Sequence, residues 1–129
     1  MEFRHDSGIL VRADLALAYA GNIMIECIRS LDRAFAFYSD QLPAAGFARR
    51  FHHVGMLLHT AEEFDQVGEA LRLRGASVPY AGSSHGVSFL YVDTRAELGH
   101  YLEYIHLRAP ARHFWDDVPV NSVGSRPTL

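Results

Sequence analysis

Apolar and polar positions alternate with a period of two over residues 9–19, which puts Val11, Ala13, Leu15, Leu17 and Tyr19 on one face. That is the pattern of a half-buried strand. Ala20-Gly21-Asn22 is a turn signal suited to positive φ, and residues 23–28 return as a second strand, so a hairpin is predicted. The period changes over residues 30–42. Leu31, Phe35, Tyr38 and Leu42 recur at helical spacing, with Ser30 placed as an N-cap and Pro43 as a stop. Residues 44–50 form a connection, and residues 51–58 an apolar strand that starts with two adjacent histidines. Strand alternation sends His52 and His53 to opposite faces, so at most one looks into a cavity.

Thr60-Ala-Glu-Glu63 has the form of a capping box. It opens a helix that buries Phe64, Val67 and Leu71 and stops at Gly75, with Glu69 and Arg72 spaced to pair on the outer face. Residues 76–80 read as a short edge strand interrupted by Pro79, and residues 81–86 as a small-residue loop. An apolar strand over residues 87–92, a turn over 93–98 and a last strand over 100–107 follow. Residues 1–8 lack a period and are expected to be a frayed end or an arm on a partner subunit. Residues 109–129 hold three prolines and are expected to pack as an extended tail anchored by Phe114 and Trp115. The predicted class is α+β: a hairpin and linking helix over residues 1–50, β-α-β-β-β over 51–108, and the tail over 109–129.

Two carboxylates stand in the middle of apolar strands. Glu26 lies in Asn22-Ile-Met-Ile-Glu-Cys-Ile28, and Glu103 in Gly99-His-Tyr-Leu-Glu-Tyr-Ile-His-Leu107. Burial of such a group is costly unless it is paired or bound to a cation. The competing reading is an edge-strand carboxylate facing solvent. Composition narrows the field. The 129 residues, 49% hydrophobic and 21% charged, suit one soluble globular domain. A net charge of −3 without a basic cluster argues against nucleic acid and anionic membranes as partners. Every basic residue is arginine, which excludes Schiff-base chemistry and a lysine base. Cys27 stands alone, cannot form an internal disulfide and fits a reducing compartment. No apolar run reaches the ~18 residues of a membrane span and no signal-peptide core is present, so a cytoplasmic location is expected.

With a histidine strand between two glutamate strands, the chain resembles the vicinal oxygen chelate superfamily, the glyoxalase and bleomycin-resistance group. It looks most like the methylmalonyl-CoA epimerase and glyoxalase-like branch. Phe51-His-His-Val-Gly55 opens a βαβββ module and His100-Tyr-Leu-Glu-Tyr-Ile105 closes it, while residues 22–28 match the closing strand of a preceding module. The resemblance covers roughly residues 11–107. It implies paired βαβββ modules curled around a divalent ion (Zn, Mn, Co, Ni, Fe or Mg), with Glu26, His53 and Glu103 as ligands. His53 is preferred to His52 because it directly precedes Val-Gly. The first strand, helix and second strand of module one have no counterpart in the sequence, and six strands leave an exposed edge. The first metal-binding histidine of the family is missing with them. Three readings stand open: a partner chain supplies the missing part, the sequence starts too late, or the metal site is incomplete. A homodimer is expected from the exposed edge.

The chemistry implied by the resemblance is that of a lyase or isomerase acting on a small, hydrophobic carbonyl or acyl substrate through a metal-stabilised enolate. Glu26 and Glu103 are the candidates for general base, and Tyr101 for orienting substrate or carrying a proton, although a packed core tyrosine is the stronger expectation. A lone well-placed histidine counts against the extradiol dioxygenases. His52, His100 and His106 are expected on the outer face, His85 in a solvated loop, Arg49 and Arg50 at the surface, and Cys27 as a buried structural thiol. Two alternatives stand beside the enzyme: a metal-free protein that binds a small molecule, as bleomycin-resistance relatives do, and a degenerate, inactive domain.

Overall fold

A mixed sheet carries the fold of the computed structural model, which describes residues 2–5, 8, 10–32 and 35–120. In chain order its strands are β1 (Glu2–His5), β2 (Leu10–Ala20), β3 (Ile23–Ser30), β4 (His53–Leu58), β5 (Tyr80–Ser84), β6 (Val87–Val92) and β7 (Tyr101–Leu107). The helices are α1 (Ala61–Leu73), α2 (Arg95–Leu98) and α3 (Ala109–Asp116). The class is α+β. Among the described residues the strands lie in the order β3-β2-β1-β5-β6-β7-β4. Of the paired strands described, β4 and β7 run parallel and the others antiparallel, and an isolated parallel bridge joins Tyr19 to Val120.

Among the described residues β3 and β4 are the two free edges. In a flat sheet six inter-strand spacings of ~4.8 Å would hold them about 29 Å apart. Instead Glu26 of β3 and His53 of β4 meet at 3.2 Å. The sheet is therefore strongly curled, open between its edges and concave on the face that carries both side chains.

Alternation decides what fills that concavity. Val11 and Ala13 of β2, Phe89 and Tyr91 of β6, and Tyr80 and Tyr101 form one buried cluster. Phe35 and Phe37 descend into it from the connection after β3, with ring centroids 4.6 Å apart for Phe35–Tyr80 and 4.8 Å for both Phe37–Tyr91 and Phe37–Tyr101. The convex face is covered in part by α1. Its N-terminus is the predicted capping box, with Thr60 Oγ1 accepting from the Glu63 amide and Glu63 Oε2 accepting from the Thr60 amide. Phe64, Val67 and Leu71 form its half-buried stripe. Gly75, at φ 65°, ends it in a Schellman arrangement, with Gly75 N–H donating to Arg72 O and Ala76 N–H to Leu71 O.

Several expectations are corrected. Residues 30–42 form turns rather than a helix in their described part. Phe35, Phe37 and Tyr38 all enter the aromatic cluster, and positions i, i+2 and i+3 do not share a narrow helical face. Glu2–His5 is a strand between β2 and β5 rather than a frayed end, so the described strands number seven rather than six. Residues 76–79 are an extended lead-in. The strand itself is Tyr80–Ser84, beyond the proline, where both sides are paired. The turn after β6 includes the short α2. Residues 109–116 are helical rather than extended, because Pro110 falls in the first turn, where the missing N–H has no partner to lose. Trp115 packs near Ile105, Leu107 and Ala111, whereas Phe114 is half-exposed. Residues 121–129 of the expected tail lie outside the described residues. Among the described residues, no helix is long and apolar enough to cross a membrane.

The aromatic packing gives a stability prediction. Tyr80 is fully buried, so Tyr80→Ala is expected to lower unfolding free energy by ~3–5 kcal/mol in urea titrations. Phe47→Ala, at a side chain 89% exposed, should stay within ~0.5 kcal/mol.

Candidate metal centre

Three strands place the polar groups on the concave face. Glu26 sits mid-way along β3 opposite Leu17, and Glu103 mid-way along β7 opposite Gly55 of β4 and Tyr91 of β6. His53 is the first residue of β4. His53 Nε2 lies 3.2 Å from Glu26 Oε2 and 3.3 Å from Glu103 Oε2. Gly55 leaves room for this approach: a Cβ there would stand 3.1 Å from Ile105 Cδ1 and 3.4 Å from Glu103 Oε2.

The donor set fits a divalent ion. One imidazole nitrogen and two carboxylate oxygens suit hard or borderline metals. One ligand atom from each residue lies within 4.8 Å of the other two. Around an ion at ~2.1 Å, adjacent donors stand roughly 3.0–3.4 Å apart, as the two histidine–carboxylate contacts do. Electrostatics point the same way. Two carboxylates face one imidazole, so even a protonated His53 leaves a negative charge in a largely buried site.

The protonation states follow from these contacts. Burial alone would depress His53, but its hydrogen bonds to Glu103 and Glu26 outweigh that and raise its pKa to about 9. Burial raises Glu103, and the His53 contact opposes the shift. Tyr91 stands opposite Glu103 in the β6–β7 ladder and opposes the upward shift of its carboxyl, and Tyr38 donates a hydrogen bond to Tyr91 across 3.2 Å. Burial raises both phenols well above 10, so each stays a donor at neutral pH.

The sequence had not singled out Tyr38, Tyr91 or His52. Their apolar surroundings made both tyrosines look like core, and alternation placed His52 on the opposite face from His53. The His52 ring instead turns inward. Its Nδ1 lies 3.1 Å from His53 Nδ1, its Nε2 lies 3.1 Å from the Phe37 carbonyl oxygen, and it packs on Phe37 and Tyr101. Regular β4 pairing begins at His53, so alternation does not bind the residue before it. Tyr101, the third catalytic candidate, is not brought to the cluster. It is a packed core residue with the Arg95 guanidinium 4.6 Å over its ring.

The other candidates lie elsewhere. His106 is buried on the face opposite Glu103, and His100 Nδ1 lies 2.8 Å from the Tyr101 carbonyl oxygen. His85 is exposed in the β5–β6 turn, 2.6 Å from Ser84 Oγ. Arg49 and Arg50 are exposed. Cys27 does alternate away from Glu26, but it is exposed rather than buried, because that outer stretch of β3 carries no covering helix among the described residues.

The raised His53 pKa has a consequence for the metal-free chain. Relative to an ordinary value near 6.5, its contribution to stability is complete below pH 6.5 and is lost as pH rises through about 9. With chelator present, the chain is expected to lose about 3 kcal/mol over that interval, and His53→Gln to lose the slope. Urea titrations at a series of pH values test this.

No protein-family model and no curated protein matches this chain.

Proposed function

We propose that the chain is a glyoxalase-like, metal-dependent lyase or isomerase that removes a proton beside a carbonyl or acyl group. The observation that carries this reading is the convergence of Glu26, His53 and Glu103 from both edges of the curled sheet. It is supported by the β4-α1-β5-β6-β7 order of residues 53–107, which is that of the βαβββ module in the vicinal oxygen chelate superfamily. A divalent ion held by the three side chains supplies Lewis acidity toward a carbonyl oxygen.

The two carboxylates have different parts. Glu103 is almost sealed, with 9% of its side chain exposed, and Tyr91 is its cross-strand neighbour. Glu26 is 26% exposed and lies on a free edge, so it is the carboxylate that can reach a substrate carbon and accept its proton. On the same face as Glu26, β2 contributes Leu15 and Leu17 to a half-open cavity of about 210 Å³ that is lined also by Phe114, Asp117, Val118 and Pro119. Its apolar wall suits the hydrocarbon part of a small acyl or carbonyl substrate. The same cavity is the observation that favours the second reading, a metal-free binding protein. The free β3 edge next to Glu26 is where a second copy of the chain would add a strand, and we place a homodimer there.

Elemental analysis and zinc titration test the reading. The purified chain is expected to bind about one zinc ion. Glu103→Ala should weaken binding by more than the ~10–100-fold typical of a lost outer partner, and Tyr101→Phe should leave it unchanged. Because His53 starts protonated at pH 7, binding should release about one proton per ion in calorimetry across buffers of different ionisation enthalpy. A chain that binds no zinc, but retains small apolar molecules in the cavity, supports the second reading instead.

A further inference from the structure

We infer that His52 is a positioning residue that fixes the tautomer of His53 and so aims its Nε2 lone pair into the metal centre. The inference rests on the metal reading above and adds a role outside the three ligands. The hydrogen-bond chain admits one assignment for neutral rings. A carbonyl oxygen accepts and never donates, so the His52 Nε2 that lies 3.1 Å from the Phe37 oxygen carries the proton. A neutral imidazole has one N–H, which leaves His52 Nδ1 bare. The 3.1 Å contact between the two Nδ1 atoms then needs its proton from His53. With Nδ1 protonated, the free lone pair of His53 is on Nε2, the atom that faces Glu26 and Glu103.

The surroundings hold this arrangement. The His52 ring is wedged between Phe37 and Tyr101, each with its centroid 4.9 Å away. The Tyr101 amide donates to the His52 carbonyl at 3.0 Å and ties its backbone to the start of β7. A ligand histidine whose second nitrogen has a fixed acceptor is oriented before the ion arrives, and loss of such a partner usually costs ~10–100-fold in affinity.

Zinc affinity of three full-length proteins tests the role. His52→Phe keeps a ring against Phe37 and Tyr101 but removes the acceptor, and is expected to bind zinc ~10–100-fold more weakly than the wild type. His52→Asn carries a side-chain oxygen able to accept from His53 Nδ1–H, and should recover affinity to within about threefold. Long-range ¹H–¹⁵N NMR of the zinc-loaded wild type should show His53 protonated at Nδ1 and bound through Nε2, a readout that depends on neither variant folding. Equal affinity of the phenylalanine variant and the wild type, equal weakness of both variants, or ligation through Nδ1 would overturn the inference while the metal reading stands. Absence of zinc binding by the wild type overturns the metal reading and this inference with it.

Discussion

The contact of His53 with Glu26 and Glu103 links the two free edges of a seven-stranded sheet, and the geometry of the site depends on it. A sheet of this width brings its outer strands together only by curling, and curling concentrates inward-facing side chains in a small volume. Two carboxylates and one imidazole in that volume are mismatched in charge. A buried group of this kind is tolerated when further partners satisfy it. Tyr91, backed by Tyr38, stands beside Glu103, and His52 supplies an acceptor to His53. A divalent cation, with His53 deprotonated, would cancel the charge of the two carboxylates and use the same three donors.

Packing holds the curl in place. The rings of Phe35, Phe37, Tyr80, Tyr91 and Tyr101 fill the concave face beside the polar cluster, and several of them touch the site's own histidines. Phe37 offers its ring and its carbonyl oxygen to His52, while Tyr91 lies 5.1 Å from the His53 ring and stands opposite Glu103. The core and the site are therefore one structure. The open side lies at β3, where Glu26 is the most exposed of the three candidate ligands. That asymmetry underlies the proposed division of roles, in which Glu103 holds the ion and Glu26 is the carboxylate open to substrate.

The legible parts of the sequence were those where one local rule decided the outcome. Alternation from Val11 to Tyr19 and the Gly21-Asn22 turn specified the β2–β3 hairpin, and the Thr60–Glu63 box specified the start of α1. Glu26 and Glu103 stood out because a carboxylate inside an apolar strand needs a partner. Tertiary contacts overrode local rules elsewhere. Residues 30–42 carry a helical spacing, yet Phe35, Phe37 and Tyr38 are all drawn into one cluster. His52 escapes strand alternation because the ladder starts one residue later, and its bonds to His53 and Phe37 turn it inward. Pro110 looked like a breaker and serves as a first-turn residue of α3. Tyr38 and Tyr91 carried no local signal, since a phenol beside a buried carboxylate has the same sequence surroundings as one packed elsewhere in the core.

Anomalous diffraction from crystals soaked in zinc is the most direct test of the metal centre. The account predicts one peak ~2.0–2.3 Å from His53 Nε2 and from one oxygen each of Glu26 and Glu103, with His53 Nδ1 still in contact with His52. A peak at another site, or no peak while His53 stays bonded to both carboxylates, would contradict it and leave the cluster as a buried ion-pair group that shapes the sheet.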